Sequence, residues 1–179
     1  MGFRVSWIAR RGASTGELID TSGRALTGER HDFPDVGFYL LELPDAADAP
    51  WVVLIADGSE NFDKLDENHA RALSDGGNET LFFWCSDTVM ATELICFKDG
   101  TMRWAIRYSC EEEDMQPLIE GEVTEVAHEI LARLRESGKA DGGADYIYEL
   151  TMDLGLQLVG FRHDMGTRTG ETDPFQVLR

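Results

Sequence analysis

"VMATELICFKDGTMRWAIRYS", residues 89–109, is the stretch that decides the fold. Two runs rich in apolar residues flank Asp99-Gly100, a dipeptide that supplies the two positive-φ positions of a type I′ turn. Because that turn matches the twist of paired strands, the sequence predicts a β-hairpin in which Lys98 faces Thr101. Facing pairs are expected to continue outward from this pair without interruption.

The expected register gives the hairpin one apolar face that carries a single acidic residue, Glu93. Glu93 falls opposite Ile106, on the same face as Trp104 and Tyr108. An ionised carboxylate in a core must be paired, hydrogen-bonded or protonated. One interpretation is a structural acid satisfied by a neighbouring arginine, tyrosine or backbone amide. The other is a general acid or base on the floor of a pocket, with Glu93 and Tyr108 as the candidate catalytic residues.

Outward from the hairpin, the hydrophobic pattern predicts further elements. Strands are expected near residues 3–10, 36–43, 51–56 and 79–86, and helices near 61–74, 122–137 and 145–159. This order favours the α+β class: a single domain over residues 1–179, with a mainly antiparallel sheet of about 5–6 strands and about 3–4 helices packed on one face. The glycine-rich residues 137–145 predict a flexible linker, and residues 165–179 predict a loose C-terminal tail.

The chain is strongly acidic, with 34 aspartates and glutamates against 16 lysines and arginines and a formal net charge of −18. This charge argues against binding to nucleic acids or to anionic membrane surfaces, because both would be repelled. A cation or a basic protein partner would be attracted. The alternative is that the acidic excess only promotes solubility or reflects a salty cytoplasm.

The cysteine pattern and the hydropathy of the sequence indicate the cellular compartment of the protein. Cys85, Cys96 and Cys110 form no CxxC pair and are odd in number, which argues against a disulfide framework and a zinc ribbon. No apolar run approaches the ~18 residues of a membrane span, and no secretory signal is recognisable. These features predict a cytoplasmic protein. The excess of arginine over lysine, 13 to 3, indicates a GC-rich bacterial source.

The charge is concentrated in residues 108–132, which contain eight acidic residues and no lysine or arginine. The helix predicted at 122–137 has an apolar stripe, so the glutamates between its core positions share the outer face. Helix stability alone does not require so many acids. The sequence therefore predicts an anionic surface that binds a basic protein, with an ordinary solvated face as the alternative. The predicted binding residues are Glu111, Glu112, Glu113, Asp114, Glu122, Glu125 and Glu129.

Motifs for metal, cofactor and nucleophile chemistry are incomplete. "HEILA" at 128–132 has Ala132 where the second histidine of the zinc motif HExxH belongs. "DGSENFDKLDEN" at 57–68 lacks the turn glycine and the final glutamate of a calcium-binding loop. Neither a glycine-rich phosphate loop nor a GxSxG elbow is present. The sequence thus predicts neither a metal nor a cofactor.

Two function classes remain. The charge pattern and the lack of a complete catalytic motif favour a non-enzymatic protein-interaction module, of the immunity or inhibitor type or an accessory protein, that binds a basic partner through its anionic surface. The alternative is a small hydrolase-type enzyme that uses Glu93 as acid or base, with or without metal assistance.

Overall fold

The computed structural model describes residues 2–43, 50–111, 116–141, 146–167 and 171–179 of the chain. The strands are β1 (Arg4–Arg11), β2 (Leu26–His31), β3 (Gly37–Leu43), β4 (Trp51–Asp57), β5 (Glu79–Ser86), β6 (Ala91–Lys98), β7 (Thr101–Ser109), β8 (Leu118–Gly121), β9 (Phe161–Arg162), β10 (Gly166–Thr167) and β11 (Phe175–Leu178). The helices are α1 (Thr15–Ser22), α2 (Glu67–Leu73), α3 (Glu125–Ala140) and α4 (Leu150–Val159). A 3₁₀ turn, Ile147–Glu149, precedes α4.

Nine of these strands form one antiparallel sheet, in the order β2-β11-β3-β4-β1-β5-β6-β7-β8. The first strand of the chain lies at its centre, where Trp7 faces Ile55 of β4 on one side and Phe83 of β5 on the other. β9 and β10 pair separately as a short two-stranded ribbon. Half of the strand pairs in the sheet join neighbours in sequence, whereas β1 is inserted between β4 and β5 and β11 between β2 and β3.

Helices cover both faces of the sheet. α3 and α4 pack on the face that carries Trp7 and Phe83, which we call the α3/α4 face. α1 and α2 pack on the opposite face with Ile8 and Phe82, which we call the α1/α2 face. All seven residues of β4 are buried, and residues 51–56 form an uninterrupted apolar run. This run follows from the layering, because each face of β4 lies in a core.

The predicted fold class was wrong in the size of the sheet and in the placement of the helices. The described residues form a nine-stranded antiparallel sheet rather than one of five or six strands, and helices cover two faces rather than one. β2 escaped prediction because five of its six residues are exposed, so it shows no alternation of apolar and polar side chains. β8 has only four residues, which is short for a periodic signal.

The segments expected to be loose also contribute structure. Residues Phe175–Leu178 of the expected tail form β11, and Phe175 is fully buried there. Of the expected linker 137–145, residues 137–140 are the last turn of α3, and residues 142–145 lie outside the described chain. β11 is held in place by pairing with β2 and β3, which lie far away in the sequence, so its local composition gave no sign of a strand.

The hairpin formed by β6 and β7 is confirmed, and its expected register is wrong. Asp99 and Gly100 have φ values of 53° and 67°, as the turn requires. The register shifts next to Phe97, so that Cys96 faces Trp104 and Glu93 faces Arg107. A β-bulge of this kind places one extra residue in a strand and turns every later side chain to the other face.

Candidate functional site

The bulge separates the two candidate catalytic residues. Glu93 lies on the α1/α2 face beside Ile95 of that core. Tyr108 lies on the α3/α4 face, where its ring contacts the ring of Tyr148 at a centroid distance of 6.1 Å. Glu93 and Tyr108 therefore point to opposite sides of the sheet and do not meet in one site.

Glu93 has a charged partner on the facing strand. The Nε of Arg107 donates to the Glu93 carboxylate, and the Nη1 of the same guanidinium donates to Glu120 of β8. Burial alone would lower the pKa of Arg107, but the hydrogen bond and charge of Glu93 outweigh it and raise that pKa. This geometry matches the structural interpretation of Glu93, an acid paired with a neighbouring arginine. Glu120 is also neutralised by this pairing.

The predicted anionic surface is partly described. Glu111 is exposed, and so are Glu122, Glu125 and Glu129, whereas Glu112, Glu113 and Asp114 lie outside the described residues. α3 turns its apolar stripe toward the core through Ala127, Ile130, Leu131 and Leu134. α3 begins at Glu125 rather than at the predicted residue 122, so Glu122 precedes the helix and its N-cap Thr124. We call Glu125 and Glu129 on the outer side of α3, together with Glu122, the acidic face.

The basic residues nearest in sequence do not neutralise the acidic face. Arg133 donates to Asp153 of α4 at 2.5 Å, although it stands one turn after Glu129. Arg135 donates to the side chain of Gln116 at 2.6 Å. Among the described residues, the acidic face makes no ion pair. Its three carboxylates therefore face solvent uncompensated.

Apolar surface adjoins the acidic face. A shallow groove between α3 and α4, with a volume of about 330 Å³, is lined by Val126, Ile130 and Glu129. Leu118, in β8, the last strand of the sheet, is 59% exposed. Exposed apolar side chains beside charged ones are common in protein-binding surfaces.

A second candidate site was missed by sequence reasoning. It is a cavity of about 360 Å³ at the point where β1 begins, β5 ends and α4 meets β9. We call it the His163 cavity. Its walls include Phe3, Asp87, Met90, Tyr148, Met152 and His163.

One wall of the His163 cavity is a hydrogen-bonded group centred on Asp87. The Tyr148 hydroxyl donates to Asp87 Oδ1 at 2.6 Å, and the backbone N–H of Phe3 donates to Oδ2 at 2.8 Å. The Cys85 thiol lies 3.1 Å from the Tyr148 oxygen. Burial raises the pKa of Cys85 to about 12, so at neutral pH this thiol is protonated and unsuited to nucleophilic attack.

Arg162 forms the charged rim of the same cavity, together with Glu149 and Asp164. Its Nε donates to Asp164 at 2.7 Å, and its Nη1 donates to Asp153 and, at 3.4 Å, to Glu149. Although burial opposes the charge, the hydrogen bonds and charges of these acids raise the pKa of Arg162. The guanidinium is thus held by carboxylates of the protein itself.

His163 is the most unusual residue of the cavity. It is 2% exposed, and its ring lies 5.1 Å from that of Phe3 and 5.5 Å from that of Phe83. Its Nδ1 is buried and has no hydrogen-bond partner within the described residues. Burial lowers the pKa of His163 to about 4, so the ring is neutral at physiological pH.

The signal for this site was weak because four distant parts of the chain build it. A local sign is the run Arg162-His163-Asp164, three ionisable residues that come soon after an apolar helix and its stop at Gly160. Such residues are rarely buried without a partner or a role. Sequence alone did not show that Asp87 and Tyr148 meet them.

A further buried acid lies at the end of β4. Asp57 is 8% exposed, and burial raises its pKa to about 6, with a smaller contribution from the nearby charge of Asp35. Tyr39 is close in the same layer, and its hydroxyl accepts a hydrogen bond from the backbone N–H of Asp35 at 3.2 Å. Asp57 therefore shifts its protonation near neutral pH.

Neither a metal site nor a membrane span is evident in the described ranges. They contain no group of three or more histidine, cysteine, aspartate or glutamate side chains placed to hold a metal ion. They also contain no helix with the length and apolar character that crossing a membrane requires. Comparisons of the chain with models of known protein families, with curated proteins and with solved structures give no match.

Proposed function

We propose that the protein is a non-enzymatic interaction module that binds a basic protein partner through the acidic face of α3. The main support for the proposal is that, within the described residues, no basic side chain forms an ion pair with the glutamates of this face. Arg133 and Arg135, the bases within reach on the same helix, are directed to Asp153 and Gln116 instead. Unpaired carboxylates on a chain of net charge −18 produce a negative potential that attracts a basic surface.

The groove beside the acidic face, whose walls combine Val126 and Ile130 with polar side chains, supports the same function. Charged residues at the rim of an interface mainly speed association and select the partner, whereas buried apolar contacts hold the complex. Val126, which is 37% exposed, offers such a contact in the groove that Glu129 also lines. The expected partner presents lysines or arginines around an apolar side chain.

The enzyme alternative has no comparable support. Its proposed acid or base, Glu93, is paired with Arg107, and the second residue, Tyr108, lies on the other face of the sheet. A cytoplasmic location is part of our proposal, since Cys85, Cys96 and Cys110 are all unpaired thiols, as is usual in a reducing compartment.

Site-specific photo-crosslinking tests the proposal. The photoreactive residue p-benzoylphenylalanine is placed at His128, which is exposed on α3, or at Ala72, which is exposed on α2 across the sheet. We expect irradiation in lysate of the source cells to link the His128 variant to a basic protein, and high salt to abolish the link because it screens exposed charges. The Ala72 variant is the control. Equal products from both positions, or no product at His128, would contradict the proposal.

A further inference from the structure

The His163 cavity has the size and composition of a small-ligand site. Its volume of about 360 Å³ falls within the ~300–1,000 Å³ of such sites. Phe3, Met90 and Met152 provide apolar surface on its walls. The cavity is formed by other residues than the acidic face of α3, so what it binds does not depend on the function proposed for that face.

The charges of the cavity select against an anion. Three carboxylates, those of Asp87, Glu149 and Asp164, line it together with one guanidinium, that of Arg162. Arg162 donates to Asp164 through Nε and Nη2 and to Glu149 through Nη1 and Nη2, so its donors are occupied by the protein. With a neutral His163, the walls carry a net negative charge and attract a cation.

Hydrogen-bond acceptors remain open in the same place. Oδ1 of Asp87 accepts hydrogen bonds from the Tyr148 hydroxyl and, at 3.6 Å, from the Cys85 thiol, and Oδ2 accepts one from the backbone N–H of Phe3. A carboxylate can accept about four. His163 is 2% exposed, and in the tautomer protonated at Nε2 its Nδ1 is an acceptor that has no donor within the described residues. Acceptors without donors at a negatively charged cavity call for a ligand that carries several N–H groups and a positive charge.

We propose that the His163 cavity binds a primary ammonium group carried on a short apolar chain. The ammonium has three N–H donors and no acceptor, which suits the carboxylates of Asp87 and Asp164 and the ring of His163. The apolar chain packs against Phe3, Met90 and Met152. A free alkylamine and a lysine side chain of another protein share this chemistry.

Methionine NMR tests the proposal, because Met90 and Met152 line the cavity and Met102 packs in the core of the α1/α2 face. The full chain with ¹³C-methyl methionine is titrated with n-pentylamine, with Nα-acetyl-lysine N-methylamide or with neutral n-pentanol. We expect saturable shifts of the Met90 and Met152 methyl signals with an amine, an unmoved Met102 signal, and no saturable shift with n-pentanol. Binding of only the free amine, or only the lysine derivative, identifies the source.

Substitutions then locate the binding. His163→Phe keeps a ring between Phe3 and Phe83 and removes the nitrogens, and it is expected to weaken amine binding at least about tenfold. Asp164→Asn changes a more exposed residue and is also expected to weaken amine binding. It is the variant to use if His163→Phe does not fold. His31→Phe, outside the cavity, is the control. No saturable shift with either amine, equal shifts with n-pentanol, or unchanged binding in both cavity variants would overturn the proposal.

Discussion

His163 and Asp57 are buried ionisable side chains, and burial moves their pKa values in opposite directions because it disfavours the charged form of each. The pKa of His163 falls to about 4 and that of Asp57 rises to about 6. Each shift makes the free energy of unfolding depend on pH, in a window set by the pKa values of the folded and the unfolded chain.

His163 should make the fold sensitive to acid. Below pH ~6.5 the unfolded chain binds a proton at this histidine, and the folded protein does not until about pH 4. Stability is therefore lost as the pH falls through this range, by up to about 3 kcal/mol. We expect His163→Phe to lose less stability than the unsubstituted protein between pH 7 and pH 4.5, as measured by urea unfolding at both pH values. Equal losses in the two proteins would contradict this.

Asp57 should weaken the fold as the pH rises from about 4 through about 6, and the cost should persist at higher pH. Above pH ~6 the folded chain must hold a buried carboxylate, and below pH ~3.8 both states are protonated and the cost disappears. We expect Asp57→Asn to raise the free energy of unfolding at pH 8 by up to about 3 kcal/mol, with the gain shrinking toward pH 4. Asp63→Asn, at an exposed position, is the control. A gain independent of pH would show that charge is not the cause.

At the scale of elements, the outer edge of the sheet depends on how β8 docks against the bulge of β7. Gly121 ends β8 with a φ of 74°, and a Cβ atom at this position would collide with the backbone carbonyl oxygen of Arg103. The close approach places Glu120 beside Arg107. A glycine here is required by both backbone conformation and space.

Gly121→Ala should therefore detach β8 or distort the bulge. We expect a loss of about 2–4 kcal/mol in the free energy of unfolding, combining left-handed backbone strain with overpacking. Gly23→Ala is the matched control, because Gly23 has a φ of 63° and no atom within 4 Å of its Cβ position. That variant should lose only about 1 kcal/mol. Similar losses in both, measured by chemical denaturation, would rule out the collision.

Local signals in the sequence predicted local elements, and contacts between distant segments decided the rest. The turn at Asp99-Gly100 and the acidic outer side of α3 were predictable because neighbouring residues set them. The bulge was not, because Trp104 and Ile106 on one face of β7 and Ala105 on the other are all apolar and buried, so their pattern does not distinguish the two registers. β11 and the His163 cavity were missed because their partners come from far along the chain.

At the scale of the whole molecule, the sheet separates two surfaces, one covered by α3 and α4 and the other by α1 and α2. On the α3/α4 side, Arg133 and Arg162 hold Asp153 between them, which leaves the acidic face of α3 open. A partner attracted by that face should bind through long-range attraction, so its association rate should fall with salt more than its dissociation rate rises. The surface on the side of α1 and α2 also carries carboxylates, so the effect of removing charge there can be compared with the effect of removing it from the acidic face.

The most direct measurement is an association rate, that of the partner identified by crosslinking with a triple variant of the protein. The variant carries Glu122→Gln, Glu125→Gln and Glu129→Gln. The matched control, Glu60→Gln, Asp63→Asn and Asp75→Asn, removes the same charge from exposed positions elsewhere. We expect association at low salt to slow about tenfold for the first variant, much less for the control, and the difference to fade at high salt. Equal rates for the two variants would contradict binding through the acidic face of α3.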